Sequence, residues 1–231
     1  MLIGPQNSEI DPRGILDRIA RAARRAGRDP AEVTLIAVGK TQPAERLRAA
    51  AAAGITDFGE NYPQEAATKI DLLADLPLCW HFIGRLQSNK TRLVANRFDW
   101  VHSIDRVEIA RRLSDQRSPH RPTLEVCLQV AVVPEPSKAG LEPEALPEAA
   151  AAVAALPRLR LRGLMCLPPF EREPARQRAV FARLRELREE LNARGFALDA
   201  LSMGMSADFE AAIAEGATHV RIGTALFGDR R

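Results

Sequence analysis

Short apolar runs alternate with amphipathic stretches along almost the whole chain. The runs have the length of strands, and several are unbroken, as expected of parallel strands buried on both faces. The predicted strands span residues 34–39, 56–60, 80–84, 99–104, 124–130, 161–167, 200–204 and 219–223. The stretches between them predict helices near 43–53, 62–74, 88–96, 106–117, 143–155, 174–194 and 206–215. A further amphipathic helix, about 8–27, precedes the first strand.

This alternation predicts an α/β protein: a single (β/α)8 TIM barrel with an extra N-terminal helix, forming one domain over residues 1–231. Parallel strands need helical crossovers, and eight such units close a barrel. An open doubly wound sheet is the alternative, but it usually carries its phosphate-binding glycines after the first strand. Here the glycine-bearing turns follow strands seven and eight, where barrels recurrently bind phosphate.

The composition argues against a nucleic-acid-binding protein and against a membrane protein. The formal net charge is only +3 and aromatic residues make up 5% of the chain, so we interpret the arginines as solvated helix faces and expect no nucleic-acid partner. No apolar run approaches the roughly 20 residues of a membrane span, and the start of the chain lacks a signal-peptide core. We therefore expect a cytoplasmic protein with no membrane partner.

The cysteines do not predict a metal site or a disulfide. Cys79, Cys127 and Cys166 each lie in an apolar run, without CxxC spacing. They are typical of buried small hydrophobes in a reducing compartment. No other spacing indicates a metal ligand set, and we expect none.

Two turns near the end of the sequence have the composition of a phosphate site. Ser206 follows the seventh strand and Thr224 follows the eighth, while Gly204 and Gly223 let backbone N–H groups approach an anion. The predicted helix 206–215 places Ser206 at a helix N-terminus, where a phosphate is favoured.

Lys40 ends the first apolar run, and a lysine there points into the mouth of a barrel, where active sites lie. Together with a phosphate site, it suggests a phosphorylated aldehyde held as a Schiff base. A surface lysine that merely ends a strand is the alternative.

Polar residues on the second and third strands are open to more than one interpretation. Asn61 either hydrogen-bonds a ligand or caps a helix, and Glu60 could hold a neighbouring lysine or orient its loop. His81 alternates with apolar neighbours and fits a hydrogen-bonded packing residue better than a catalyst.

Arg221 stands inside the last strand, where a guanidinium needs an anion or a fixed acceptor. It could pair with a phosphate, face a ring nitrogen, or form a structural ion pair. Met165 and Met203 are interpreted as apolar core or as a packing surface for a planar ring.

Several of these segments occur together in one known family. The runs 35–41 (LIAVGKT), 58–62 (FGENY), 80–90 (WHFIG, then LQSNK) and 202–228 (SMGMS, then VRIGTALFG) resemble the pyridoxal phosphate homeostasis proteins, over essentially the whole chain. Gly39 departs from the small hydroxyl residue often found there, and Arg85 replaces a common proline.

The resemblance implies a fold similar to the barrel domain of alanine racemase, with pyridoxal 5′-phosphate as cofactor. It implies that Lys40 carries the cofactor as a Schiff base, that Ser206, Gly223 and Thr224 hold its phosphate, and that Arg221 faces the pyridine nitrogen. Asn61 and Met203 would lie near the cofactor. Lys138, in the loop 137–140, would take part in cofactor exchange.

From these residues and this resemblance we expect a monomeric cofactor-binding protein that acts in pyridoxal phosphate homeostasis, in delivery to pyridoxal-phosphate-dependent apoenzymes, and in amino-acid balance. A racemase-like enzyme acting on an amino acid is the alternative, although it needs bases on both faces of its substrate and Tyr62 is the only tyrosine. Because the sequence ends a few residues beyond the eighth strand, we expect no racemase-like second domain. An unrelated phosphate-binding barrel is a third possibility.

Overall fold

Eight parallel strands form a closed barrel in the computed structural model, which describes residues 12–133, 139–169 and 171–228. Each strand pairs with the next along the chain, and β1 closes the barrel by pairing with β8. The strands are β1 (Thr34–Val38), β2 (Asp57–Glu60), β3 (Cys79–Phe82), β4 (Trp100–Ile104), β5 (Leu124–Gln129), β6 (Leu159–Met165), β7 (Ala200–Met205) and β8 (His219–Ile222). The predicted barrel is confirmed.

Helices follow the strands on the outside of the barrel. They are α1 (Arg13–Arg25), α2 (Ala44–Ala52), α3 (Pro63–Leu72), α4 (Thr91–Arg97), α5 (Val107–Gln116), α6 (Leu146–Ala154), α7 (Pro174–Ala193), α8 (Phe209–Ala214) and α9 (Thr224–Phe227). The extra N-terminal helix is confirmed as α1, which packs against α8; the predicted part before residue 12 lies outside the described residues.

The helix after β7 begins later than the sequence predicts. Residues 206–208 form a turn, and α8 starts at Phe209 with Asp208 as its N-cap residue. The carboxylate of Asp208 accepts the backbone N–H of Met205 at 2.6 Å, which closes this turn before the helix can begin. Ser206 is therefore not at the helix N-terminus, and that prediction is wrong.

Most of the core lies between the barrel and its helices. Outward-pointing strand residues such as Leu35, Leu201 and Val220 pack there with the apolar faces of the helices. The inside of the barrel holds a smaller apolar cluster of Cys127, Met165 and Ala200. Inward-facing positions on other strands carry polar side chains instead, such as His81 and Arg221.

Within the described residues, no helix is both long and apolar enough to cross a membrane.

Candidate active site

A cavity of about 390 Å³ opens at the C-terminal mouth of the barrel, the rim formed by the carboxyl ends of the strands. We call it the mouth cavity. Its lining includes Lys40 after β1, Asn61 after β2, Ile83 after β3, Leu167 after β6, Ser206 after β7 and Thr224 after β8. The parallel arrangement gathers these residues because every strand ends at the same rim.

Lys40 reaches this cavity from a constrained stretch of backbone. It follows β1 through Gly39, and the next residue, Thr41, has a positive φ of 64°. The Thr41 N–H donates to the carboxylate of Glu65 on α3 at 2.6 Å. Lys40 itself is half-buried, and its backbone is held between the end of β1 and the hydrogen bond of Thr41.

A buried lysine on α3, Lys69, also holds the backbone next to Lys40. Lys69 Nζ donates to the Gly39 carbonyl at 2.6 Å and pairs with Glu60 at 2.8 Å and Glu65 at 2.5 Å. Burial raises the pKa of Glu60 to about 7, and Lys69 offsets part of that effect. A Cβ at Gly39 would lie 2.6 Å from the Glu60 carboxylate, so any other residue at position 39 requires that carboxylate to shift. The interpretation that Glu60 holds a neighbouring lysine is confirmed.

Arg221 lies inside the barrel with 3% of its surface exposed and forms one wall of the mouth cavity. Its guanidinium donates to the Ser202 hydroxyl at 2.7 Å and to the Cys166 carbonyl at 2.9 Å. Burial lowers its pKa from the usual value. Within the described parts of the chain no carboxylate forms an ion pair with it, and its guanidinium has further N–H donors beyond these two bonds.

The predicted phosphate-binding residues converge on one side of the cavity. Ser206 lies in the turn after β7, while Gly223 and Thr224 lie where β8 passes into the short helix α9. Thr224 starts that helix, so its backbone N–H and the next one have no partner within the helix. Hydroxyls and backbone N–H groups from two adjacent turns suit an anion of phosphate size.

The structure contradicts the placement of Met203 near a ligand. Met203 is fully buried and packs in the core between barrel and helices, because β7 turns Leu201 and Met203 outward and Ser202 inward. Met205 lines the mouth cavity instead. The pairing of β7 with β8 shifts register between Ser202 and Met205, which breaks the alternation that the sequence suggests.

Asn61 lies on the cavity wall and is not the cap of α3, which begins at Pro63 after Tyr62. Its side-chain oxygen Oδ1 is buried and has no hydrogen-bond partner among the residues that the structure describes. A buried acceptor without a donor is costly, and a ligand in the cavity could satisfy it.

Other predicted residues lie elsewhere. His81 is fully buried inside the barrel, hydrogen-bonded to Asp57 at 3.0 Å and to His102 at 2.9 Å, as expected of a packing residue. Arg85 and Tyr62 line a neighbouring cleft of about 800 Å³. Among the described residues, Asn61 is the one that lines both this cleft and the mouth cavity. Lys138 falls outside the described residues.

Sequence reasoning missed several contributors to the site. Gln42, Ile83 and Leu167 line the cavity, and Lys69 and Glu65 fix the backbone that carries Lys40. Ile83 and Leu167 could have been found from their positions at strand ends. The contacts of Lys69 with β1 and β2 depend on how α3 packs against the barrel, which carries no local signal.

Comparison with known proteins first defines the class of this barrel. Residues 10–231 match the family described as alanine racemase, N-terminal domain. The alanine racemase from Corynebacterium glutamicum superimposes with a TM-score of 0.67 at 17% identity, covering 93% of this chain and 61% of that one. At that identity the likeness is one of fold.

Closer relatives then give the family. The chain is 63% identical over 213 residues to the pyridoxal phosphate homeostasis protein of Pseudomonas aeruginosa, covering 92% of this chain and 91% of that protein. It is 52% identical over 219 residues to the protein of the same name from Escherichia coli K12, covering 94% of each. The chain belongs to the pyridoxal phosphate homeostasis protein family.

A solved structure is also similar to nearly the whole of this chain. PipY of Synechococcus elongatus PCC7942, described with pyridoxal phosphate bound, superimposes with a TM-score of 0.81 at 42% identity. The match covers 93% of this chain and all of that one.

Proposed function

We propose that this protein binds pyridoxal 5′-phosphate in the mouth cavity, holds it reversibly as a Schiff base on Lys40, and acts in pyridoxal phosphate homeostasis. The observation that carries the proposal is the convergence of Lys40, Arg221, Ser206 and Thr224 on one cavity. Membership of the family and the cofactor described in PipY support it.

The residues present fit each part of that cofactor. Ser206, Thr224 and the adjoining backbone N–H groups would hold the phosphate, and Ile83 and Leu167 provide apolar surface for the ring. Arg221 would face the ring nitrogen, held in place by Ser202 and the Cys166 carbonyl. The unpartnered Asn61 Oδ1 offers an acceptor for a polar group of the ligand.

Lys40 would bind and release the cofactor. Pyridoxal phosphate supplies an aldehyde that reacts reversibly with primary amines. Lys40 is only half-buried at an open rim, so a competing amine can reach the same carbon. We propose that this accessibility serves delivery to apoenzymes and influences amino-acid pools, and that the protein acts as a cytoplasmic monomer of one domain.

Borohydride reduction of the purified protein, followed by peptide mass mapping, tests the covalent assignment. We expect the pyridoxyl group on Lys40 and no covalent cofactor in Lys40→Ala. Lys90→Ala, a variant of a lysine in the neighbouring cleft, is the matched control and should retain labelling of Lys40. Labelling confined to Lys69 or Lys90 would overturn the proposal.

A further inference from the structure

The opposite end of the barrel carries a second cluster of chemically active side chains. Asp57 and Cys79 begin β2 and β3 and are paired neighbours in the sheet register. His81 follows Cys79 on the same face of β3, two residues along. One carboxylate oxygen, the Cys79 Sγ and one imidazole nitrogen all lie within 4.8 Å of one another.

We propose that Asp57, Cys79 and His81 bind one divalent transition-metal ion of the zinc type at the N-terminal end of the barrel. Oxygen, sulfur and nitrogen donors are the set that Zn²⁺ takes in proteins, with water able to fill a fourth tetrahedral position. Donor atoms on a shared tetrahedral ion lie about 3.3–3.8 Å apart. The distances between the three donor atoms would therefore need to shorten by about 1 Å.

His81 is already oriented as a metal ligand. Its Nε2 points at the Asp57 carboxylate, 3.0 Å away, and its Nδ1 lies 2.9 Å from His102 Nε2. Its ring stacks on Trp100 at 5.7 Å between centroids. With a metal on Nε2, the Nδ1–H donates to His102, which fixes the tautomer as outer-shell partners of metal-bound histidines do.

The local field favours a cation. Asp57 places a negative charge beside the Cys79 thiol, and the nearby Asp99 and Glu125 carry charges that also pair with Arg121 and Arg162. A metal ion offsets that negative potential and stabilises the thiolate. On binding, the Cys79 thiol releases its proton to solvent, and neutral His81 binds through an unprotonated Nε2 with its single ring proton on Nδ1, so no change of oxidation state is involved.

The cluster is also accessible, since 22% of the Asp57 side chain is exposed and Cys79 is partly exposed. This corrects the expectation of a buried cysteine at position 79. The carboxyl ends of β2 and β3, where the mouth cavity lies, are the far ends of these strands, so occupancy is expected to leave the cofactor site unchanged.

The test is a titration of the tag-free, cofactor-loaded protein with Co²⁺, followed by displacement with Zn²⁺. We expect one ion per chain, with the visible bands of four-coordinate cobalt and a near-ultraviolet sulfur-to-cobalt charge-transfer band. Cys79→Ser should lose the charge-transfer band, and Asp57→Asn should keep it while weakening Co²⁺ at least about tenfold. Asp57→Asn retains a hydrogen-bonding partner for His81, which protects the fold.

The matched control is Cys127→Ala, which removes a fully buried thiol in the barrel interior and should bind Co²⁺ as the parent does. The cofactor absorption should be the same before and after Zn²⁺. A charge-transfer band that survives in Cys79→Ser, or equal affinity in Asp57→Asn and the parent, overturns the proposal. So does the absence of any stoichiometric cobalt binding by the folded parent. None of these outcomes bears on labelling of Lys40.

Discussion

At the scale of the single residue, Thr41 carries the most unusual backbone next to the site. Its φ of 64° is the only positive value at a non-glycine residue in the described parts of the chain. The left-handed region costs an L-residue roughly 1–2 kcal/mol, and a β-branched side chain suits it least. The bond from Thr41 N–H to Glu65 holds this conformation in place.

Thr41→Asn should therefore raise the free energy of unfolding by about 0.5–1 kcal/mol, because asparagine tolerates this region and the Thr41 side chain is exposed. Thr41→Val keeps the β-branching and should bring no such gain. Chemical denaturation of the three proteins measures the difference. Equal stability of the Asn and Val variants would show that the backbone at this position is not strained.

The hydroxyl of Thr224 should discriminate the phosphorylated from the unphosphorylated aldehyde. Removing one hydrogen bond to a charged acceptor costs about 1.5–3 kcal/mol, so Thr224→Ala should bind pyridoxal phosphate roughly ten- to a hundredfold more weakly. Binding of pyridoxal should hardly change. Thr224→Ser keeps the hydroxyl and serves as control, and Ser206→Ala should behave like Thr224→Ala. An equal loss for both aldehydes would argue against contact with the phosphate.

At the scale of elements, the buried cluster of Glu60, Lys69 and Glu65 ties α3 to the ends of β1 and β2. Two carboxylates share one buried ammonium group there. The pKa of Glu60, raised from 4.5 to about 7, means that the folded protein holds a proton that the unfolded chain releases at lower pH. This part of the stability is fully present below about pH 4.5 and is lost as the pH rises through 7.

The parent protein should thus lose stability relative to Glu60→Gln between pH 5 and pH 8, by at most about 3 kcal/mol. The glutamine keeps the shape and removes the titration, while Lys69 retains Glu65 and the Gly39 carbonyl. Unfolding titrations of both proteins at four pH values give the difference, in which other titrating groups cancel. A difference that is constant with pH would contradict the assignment.

The helices and strands also differ in how well the sequence predicts them. Apolar runs and their spacing are local properties, and they predicted all eight strands and the ends at which Lys40 and Thr224 lie. The start of α8 depends on one Asp208 hydrogen bond, and the side on which Met205 lies depends on a register shift between β7 and β8. The cluster of Asp57 and Cys79 depends on pairing between strands 22 residues apart in the sequence. None of these can be deduced from hydrophobic periodicity alone.

At the scale of the whole molecule, the two halves of the barrel interior differ in what fills them. The mouth cavity gathers Lys40 and the phosphate-binding turns at the C-terminal rim, as barrels do. The other half of the interior holds the packed rings of His81, Trp100 and His219, of which His81 and Trp100 stack and Trp100 and His219 are tilted. Of the described residues that line the mouth cavity, only Lys40 and Arg221 carry titratable groups.

Because so few titratable groups line the mouth cavity, we predict that the protein racemises amino acids negligibly. Inverting a Cα centre needs a proton acceptor on one face of the bound substrate and a donor on the other. Lys40 can serve one face. Tyr62, the only tyrosine, lies 55% exposed in the neighbouring cleft, and His81 is hydrogen-bonded inside the barrel. Arg221, a fixed cation, would oppose a proton on the ring nitrogen and so weaken electron withdrawal. Incubating the loaded protein with L-alanine in deuterated water, followed by chiral analysis, measures the outcome. Steady formation of the D-isomer that disappears in Lys40→Ala would establish the racemase-like alternative instead.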